Sequence, residues 1–180
     1  MNDISIQNIA CNLQSKLFFG SLFLCKMIYS SWKSYSEEPD RLLLHGTAVA
    51  IGNSGLLILG PSGSGKSHLA LEMIALGASL VSDDRVWLNK TGEALQLEAP
   101  EQIKGYIEAP GLGLLASEPK TPVPLSYCLD LSVENKMRLP FVSEEKKLGL
   151  PVSILPGKPL APHAAALIVL LKNGFASYDK

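Results

Sequence analysis

The stretch GPSGSGKSHLALEMI, Gly60 to Ile74, decides the reading of this chain. Gly60-Pro61-Ser62-Gly63-Ser64-Gly65-Lys66-Ser67 meets the pattern GxxxxGK(S/T) in full. Glycine tolerates positive φ, so successive backbone N–H groups can turn inward onto phosphate oxygens. A helix opening at the end of the loop adds the positive end of its dipole. In loops of this kind the lysine reaches the β- and γ-phosphates and the serine hydroxyl ligates Mg²⁺. The flanks agree. GLLILG reads as a strand running into the loop, and SHLALEMIALG sets Leu69, Met73 and Leu76 on one helical face, with Gly77 as its stop. The loop predicts a bound nucleotide or polyphosphate with Mg²⁺.

Working outward, LLLHGTAVAIG and GLLILG are strand-like runs joined across Gly52-Asn53-Ser54-Gly55, which predicts a hairpin. ASLVSDD reads as a short buried strand ending in two acids. RVWLNKTGEALQLE predicts a second hairpin turning at Thr91-Gly92. SYCLDLSV and LPVSILP add strands, and HAAALIVLLKNG a C-terminal helix. Strands outnumber helices, so the expectation is a mixed-sheet α/β domain built on a phosphate loop, richer in strand than a doubly wound fold. That domain is expected over residues 42–175. Residues 1–41 read as an extension, with the polar SYSEEPDR, Ser34 to Arg41, as a linker. Within the extension the apolar run Leu17–Cys25 is shorter than the ~20 residues that cross a bilayer. The lone Lys16 ahead of it makes a weak signal peptide.

The chain has 180 residues, enough for one domain with a core. Apolar residues make up 47% and charged ones 18%, with a formal net charge of −1, so no basic excess draws in nucleic acid. Cys11, Cys25 and Cys128 are far apart and odd in number, which supports neither a disulfide framework nor a zinc site. A reduced cytoplasm, with no membrane attachment, is the simple expectation.

After the loop there is room for one helix and one strand before Asp83 and Asp84, a crossover that returns a strand end to the loop. An acid there can bind Mg²⁺ through water or take a proton from an attacking hydroxyl. Side chains alternate along a strand, so one of the two acids is expected to cap a turn instead. Glu108, in IEAPGLG, is a candidate metal ligand, with the glycines letting backbone approach the site. Taken singly, His45 reads equally well as an edge residue, and Arg138 as a surface arginine.

Together, His45-Gly46, GPSGSGKS, SLVSDD, IEAPGLG, the arginine in MRLP and the stretch LPGKP resemble, in order, the catalytic domain of the HPr kinase/phosphorylase family. The resemblance covers Leu42 to about Gly174 and suggests a short form without the family's N-terminal domain. It implies a fold related to carboxykinase-type P-loop proteins and a hexameric assembly. It also implies an enzyme that uses ATP and Mg²⁺ to phosphorylate a serine of a small phosphocarrier protein (HPr-like), and that removes the phosphate with inorganic phosphate. By position, Lys66 would bind phosphate, and Ser67 and Glu108 would hold Mg²⁺. Asp83 or Asp84 would be the base, a choice the sequence leaves open. His45 and Arg138 match catalytic positions, and Gly157-Lys158 match a loop tied to dephosphorylation. Pro110 stands where an arginine is common in the family, and His68 where an acid is usual. Two rival readings are a small-molecule or carboxykinase-like kinase, and a nucleotide-binding regulator without catalysis. The acids beside the loop favour catalysis, and the apolar Leu112–Leu115 region is a candidate rim for a protein acceptor.

Overall fold

The computed structural model describes residues 31–134, 142–158 and 163–176. The first part of the chain supplies β1 (Ser34–Glu38), β2 (Arg41–His45), β3 (Thr47–Ile51) and β4 (Ser54–Leu59). Helix α1 (Lys66–Ala75) follows, then β5 (Ser79–Ser82), β6 (Arg85–Thr91) and β7 (Ala94–Glu98). β8 (Tyr106–Ala109) and β9 (Gly113–Ala116) form a separate two-stranded hairpin. β10 (Val123–Glu134), β11 (Ser143–Lys147), β12 (Leu150–Lys158) and α2 (Ala164–Asn173) complete the order. The expected mixed-sheet α/β architecture is what the chain adopts.

Ten strands join one curled sheet in the order β1-β2-β6-β7-β10-β4-β3-β5, with β12 beside β10 and β11 beside β12. The long β10 is its spine. Its start pairs antiparallel with β7, and its later part runs parallel to both β4 and β12. Asp130 is in register with Leu59 on one neighbour and Pro156 on the other. The phosphate loop therefore leaves the carboxyl edge of three parallel strands, the edge where open α/β sheets bind ligands.

Alternation on the central strands builds two cores. Val49, Leu56 and Ile58 face α1 and α2 and pack with Leu69, Met73, Leu167 and Leu171. Ala48, Ala50, Leu57 and Leu59 face the other way, onto Leu44, Val86, Leu88 and Leu97 from the curled-over part of the sheet. With both faces covered, β4 reads as a continuous apolar run. No helix among the described residues is long and apolar enough to cross a membrane.

Three expectations change. The run LLLHGTAVAIG breaks at Gly46, where β2 turns off to pair with β6 while β3 pairs with β4 and β5. A Cβ at Gly46 would fall 3.0 Å from the Ile58 carbonyl, so only glycine passes this corner easily. The stretch expected as a linker, Ser34–Arg41, forms β1 and the turn into β2. Pro39 and Asp40 occupy that turn, and Glu38 and Arg41 clamp it with paired contacts at 2.8 Å. Ahead of β1, Ser31 donates to the buried Asp130 at the carboxyl edge. Finally, Gly157 and Lys158 end strand β12 and are not in a loop. Gly157 is there for close approach, since a Cβ would meet Leu131 Cα at 2.7 Å and the Asp130 carbonyl at 2.8 Å. Arg138 lies outside the described residues, as does residues 1–30 of the extension.

Gly157→Ala should therefore lower stability by about 1–3 kcal/mol, the usual cost of forcing an atom into a packed interior. A drop in the urea midpoint with an unchanged slope checks it.

Candidate functional site

The loop Gly60–Gly65 spans the step from the end of β4 to the start of α1. Gly63 and Gly65 take φ of 76° and 93°, the left-handed region that glycine reaches without strain. No side chain caps the α1 N-terminus and no acid stands in its first turn. The first N–H groups of the helix and its dipole are thus left facing the loop, ready for an anion. Next to this nest lies a cavity of about 300 Å³ lined by Gly63, Gly65, Lys66, Ser67, His68, Glu108 and Pro110.

Lys66 is buried. Its ammonium donates to the carbonyls of Gly60 and Pro61, each at 3.1 Å, and lies 3.1 Å from His45 Nε2. Ammonium only donates, so Nε2 accepts and the imidazole proton sits on Nδ1. Burial, and then the Lys66 charge, push the His45 pKa below its ordinary value, against the pull of Asp84. Burial likewise lowers Lys66, opposed by Asp83 and Asp84. The pair is a neutral imidazole against a cation.

The two acids divide. Both leave the end of β5 in a tight turn, closed by the Arg85 N–H on the Asp83 carbonyl at 2.8 Å. Asp84 takes φ of 66° there, so both carboxylates stay near the loop despite strand alternation. Asp83 is buried and accepts three hydrogen bonds: from Thr47 at 2.7 Å, from Ser67 at 2.8 Å, and from the Glu108 backbone N–H at 3.0 Å. Asp84 is exposed, with one oxygen 3.3 Å from His45 Nδ1 and the other 3.5 Å from Arg85 Nε.

Glu108 has an exposed side chain on β8, beside Ser67 in the cavity lining. Gly111 and Gly113 turn the β8–β9 hairpin, at φ of 83° and 108°. The structure thus draws together the loop, His45, Asp83, Asp84 and Glu108. It leaves Gly157 in a strand, and the side chain of Lys158 is outside the description. Thr47 was missed. Its only sequence signal was its place just after His45-Gly46, at the corner the glycine makes.

The site and its sheet define a P-loop phosphate-binding domain of mixed α/β type. Residues 38–118 match the family model described as HPr Serine kinase C-terminal domain. Over 85 residues the chain is 46% identical to the HPr kinase/phosphorylase of Caldanaerobacter subterraneus subsp. tengcongensis, covering 46% of this chain and 28% of that protein. It is 43% identical over 80 residues to the HPr kinase/phosphorylase of an Azoarcus species, covering 44% of this chain and 26% of the relative. The match thus spans only about a quarter of the length of these curated relatives. A solved structure titled "Structure of the Hpr(Ser) kinase/phosphatase from Coxiella burnetii" superposes with a TM-score of 0.61 at 25% identity, covering 73% of this chain and 88% of that one. The resemblance to the HPr kinase/phosphorylase family is shown, by sequence over the segment holding the loop, the paired acids and Glu108, and by fold over most of the domain.

Because folding weakens proton binding at His45, the unfolded chain binds more protons as pH falls through about 6.5, and native stability falls with it. Melting temperature should drop between about pH 7 and pH 5 more steeply in the wild type than in His45→Gln. Parallel curves for the two proteins would contradict the buried neutral imidazole.

Proposed function

We propose that this domain transfers the γ-phosphoryl group of ATP to a serine hydroxyl of a small phosphocarrier protein of the HPr type. The observation that carries the reading is the exposed Asp84 carboxylate beside the loop lysine and a neutral histidine, while Asp83 is wholly engaged. Asp84 is exposed while Asp83 is buried under three donors, and this supports assigning Asp84 as the group that takes the proton of an incoming hydroxyl. The relatives' names, HPr kinase/phosphorylase, supply the acceptor class.

The residues fit a magnesium ion. Ser67 and Glu108 offer hard oxygen donors on one cavity wall, and Asp83 holds the Ser67 hydroxyl and the Glu108 backbone in place. Among the described residues no three His, Cys, Asp or Glu gather as a protein-only metal cage. Magnesium held by one or two protein oxygens and substrate phosphates needs none. When bound, the ion would neutralise charge on the phosphate oxygens.

In the transfer, the serine Oγ forms a bond to the γ-phosphorus as the bond to the β,γ-bridging oxygen breaks, and ADP departs. The serine proton passes to Asp84. Lys66 leaves its carbonyl partners to meet phosphate charge, and the loop amides hold the phosphates in line. With inorganic phosphate as acceptor, a phosphate oxygen forms a bond to the phosphoserine phosphorus as the bond to serine Oγ breaks, pyrophosphate leaves, and Asp84 returns the proton to the serine; this would be the phosphorylase step. A protein acceptor suits the apolar hairpin tip. Leu112 is 82% exposed and Leu114 67%, on the hairpin whose first strand carries Glu108. A hexameric assembly and roles for Arg138 and Lys158 remain part of this reading through the family resemblance, while β1 (Ser34–Glu38) belongs to the sheet of the domain itself.

With Mg-ATP the protein should label a serine on HPr, as phosphosite mapping would show. Asp84→Asn should cut transfer by about 10²–10⁴-fold, the scale of general-base catalysis, with ATP affinity nearly unchanged. Full transfer by Asp84→Asn would remove that residue as the base. Lys66→Ala should instead weaken ATP binding itself, read by calorimetry. Leu112→Asp should raise the KM for the protein acceptor and leave ATP affinity alone; equal KM values would exclude the hairpin tip from docking.

A further inference from the structure

We propose that Tyr35, ahead of the stretch matched by the family model, is a positioning residue for His45: its hydroxyl shares the Nδ1 proton with Asp84 and keeps Nε2 turned to Lys66. The inference rests on the reading of Asp84 as the base, and it concerns the imidazole that touches both Asp84 and the loop lysine.

Local backbone geometry places the tyrosine. β1 pairs antiparallel with β2, with Ser34 opposite Leu44 but Ser36 opposite Leu43. Two steps on β1 thus match one on β2, and Tyr35 is the extra residue of a β-bulge. Bulges re-aim a side chain and recur beside active sites. One residue back, the Lys33 carbonyl accepts the His45 backbone N–H at 2.8 Å, so this short edge strand fixes both the backbone and the ring of the histidine.

The ring contacts agree. The Tyr35 hydroxyl lies 3.2 Å from His45 Nδ1. The two rings meet edge to face, with centroids 6.0 Å apart and planes at 89°. The Arg85 guanidinium stands 5.0 Å from the Tyr35 ring centroid and the Lys33 ammonium 5.7 Å, which holds the exposed ring by cation–π attraction. The charged and polar groups around His45 are therefore Lys33 and Tyr35 from the β1 segment, Ser62 and Lys66 from the loop and α1, and Asp84 and Arg85 from the turn into β6.

In this setting Nδ1–H has two acceptors, and Nε2 faces the Lys66 ammonium at 3.1 Å with the Ser62 hydroxyl farther off at 3.5 Å. Each acceptor favours the Nδ1–H tautomer, the less common one for a free imidazole in water. Without the tyrosine oxygen, Asp84 alone must hold the ring, and Asp84 is also the group that has to take up a proton during transfer. Tyr35 lets the imidazole keep its orientation while Asp84 changes charge.

The test is Tyr35→Phe, which keeps the ring and its stacking but removes the oxygen, alongside wild type and Tyr35→Leu. Nitrogen-15 NMR of the imidazoles at neutral pH should show His45 as the Nδ1–H tautomer in the wild type. Tyr35→Phe should show a mixture with Nε2–H. With HPr as acceptor, kcat of Tyr35→Phe should fall about tenfold, the scale at which orienting partners act, and the KM for ATP should hold within about twofold. An unchanged tautomer in Tyr35→Phe, or a wild-type ring already protonated on Nε2, overturns the proposal. So does a Tyr35→Phe kcat equal to wild type. The tautomer measurement needs no turnover. If the wild type fails to phosphorylate HPr but the tautomer shifts as expected, the functional reading falls and the positioning role of Tyr35 stands.

Discussion

One buried carboxylate organises the site. Asp83 accepts from Thr47 at the start of β3, from Ser67 in the first turn of α1, and from the backbone of Glu108 on β8. Those elements are far apart in sequence and share no other polar tie of this kind among the described residues. Burying a charge is costly unless it is fully hydrogen-bonded, and three donors at 2.7–3.0 Å meet that requirement. The same bonds fix the Ser67 hydroxyl and bring the Glu108 strand to the loop. The phosphate nest owes its shape to glycine, and its second wall to Asp83.

Beside that rigid tie sits a softer cluster. Lys66, His45, Asp84, Arg85 and Tyr35 form a run of alternating donors and acceptors from the buried loop to the surface. Its inner end is desolvated, which lowers the pKa of both Lys66 and His45. Its outer end is open, and Asp84 there is exposed to solvent. Neighbouring carboxylates thus meet opposite surroundings: Asp83 is buried under three donors and Asp84, at positive φ, is exposed.

Much of this was legible in the sequence wherever the signal is local. The glycine loop and both hairpin turns depend on residues a few positions apart, and each appeared where expected; the α1 face held for Leu69 and Met73, whereas Leu76 caps the helix end and is exposed. The crossover that returns Asp83 and Asp84 to the loop followed from chain length alone. What could not be read depends on distant partners. Thr47 gains meaning only through Asp83, and Gly157 only through the backbone of β10 lying within 3 Å of its missing Cβ. Ser34–Arg41 looked like a linker because its composition is polar, as edge strands often are. Tyr35 sits at an irregularity of strand pairing, and a bulge leaves no periodic trace. The Gly46 corner lay within a run read as one strand, since only the partners of β2 and β3 show that the chain changes direction there.

The central claim is that Asp83 holds the oxygen donors of the metal side while the loop amides hold the phosphates without it. Calorimetric titration of ATP into wild type and Asp83→Asn, each with and without Mg²⁺, separates the two. Magnesium should strengthen ATP binding in the wild type. Asp83→Asn should lose that enhancement yet bind metal-free ATP about as well as the wild type does. An undiminished magnesium effect in Asp83→Asn would show that the carboxylate does not organise this site.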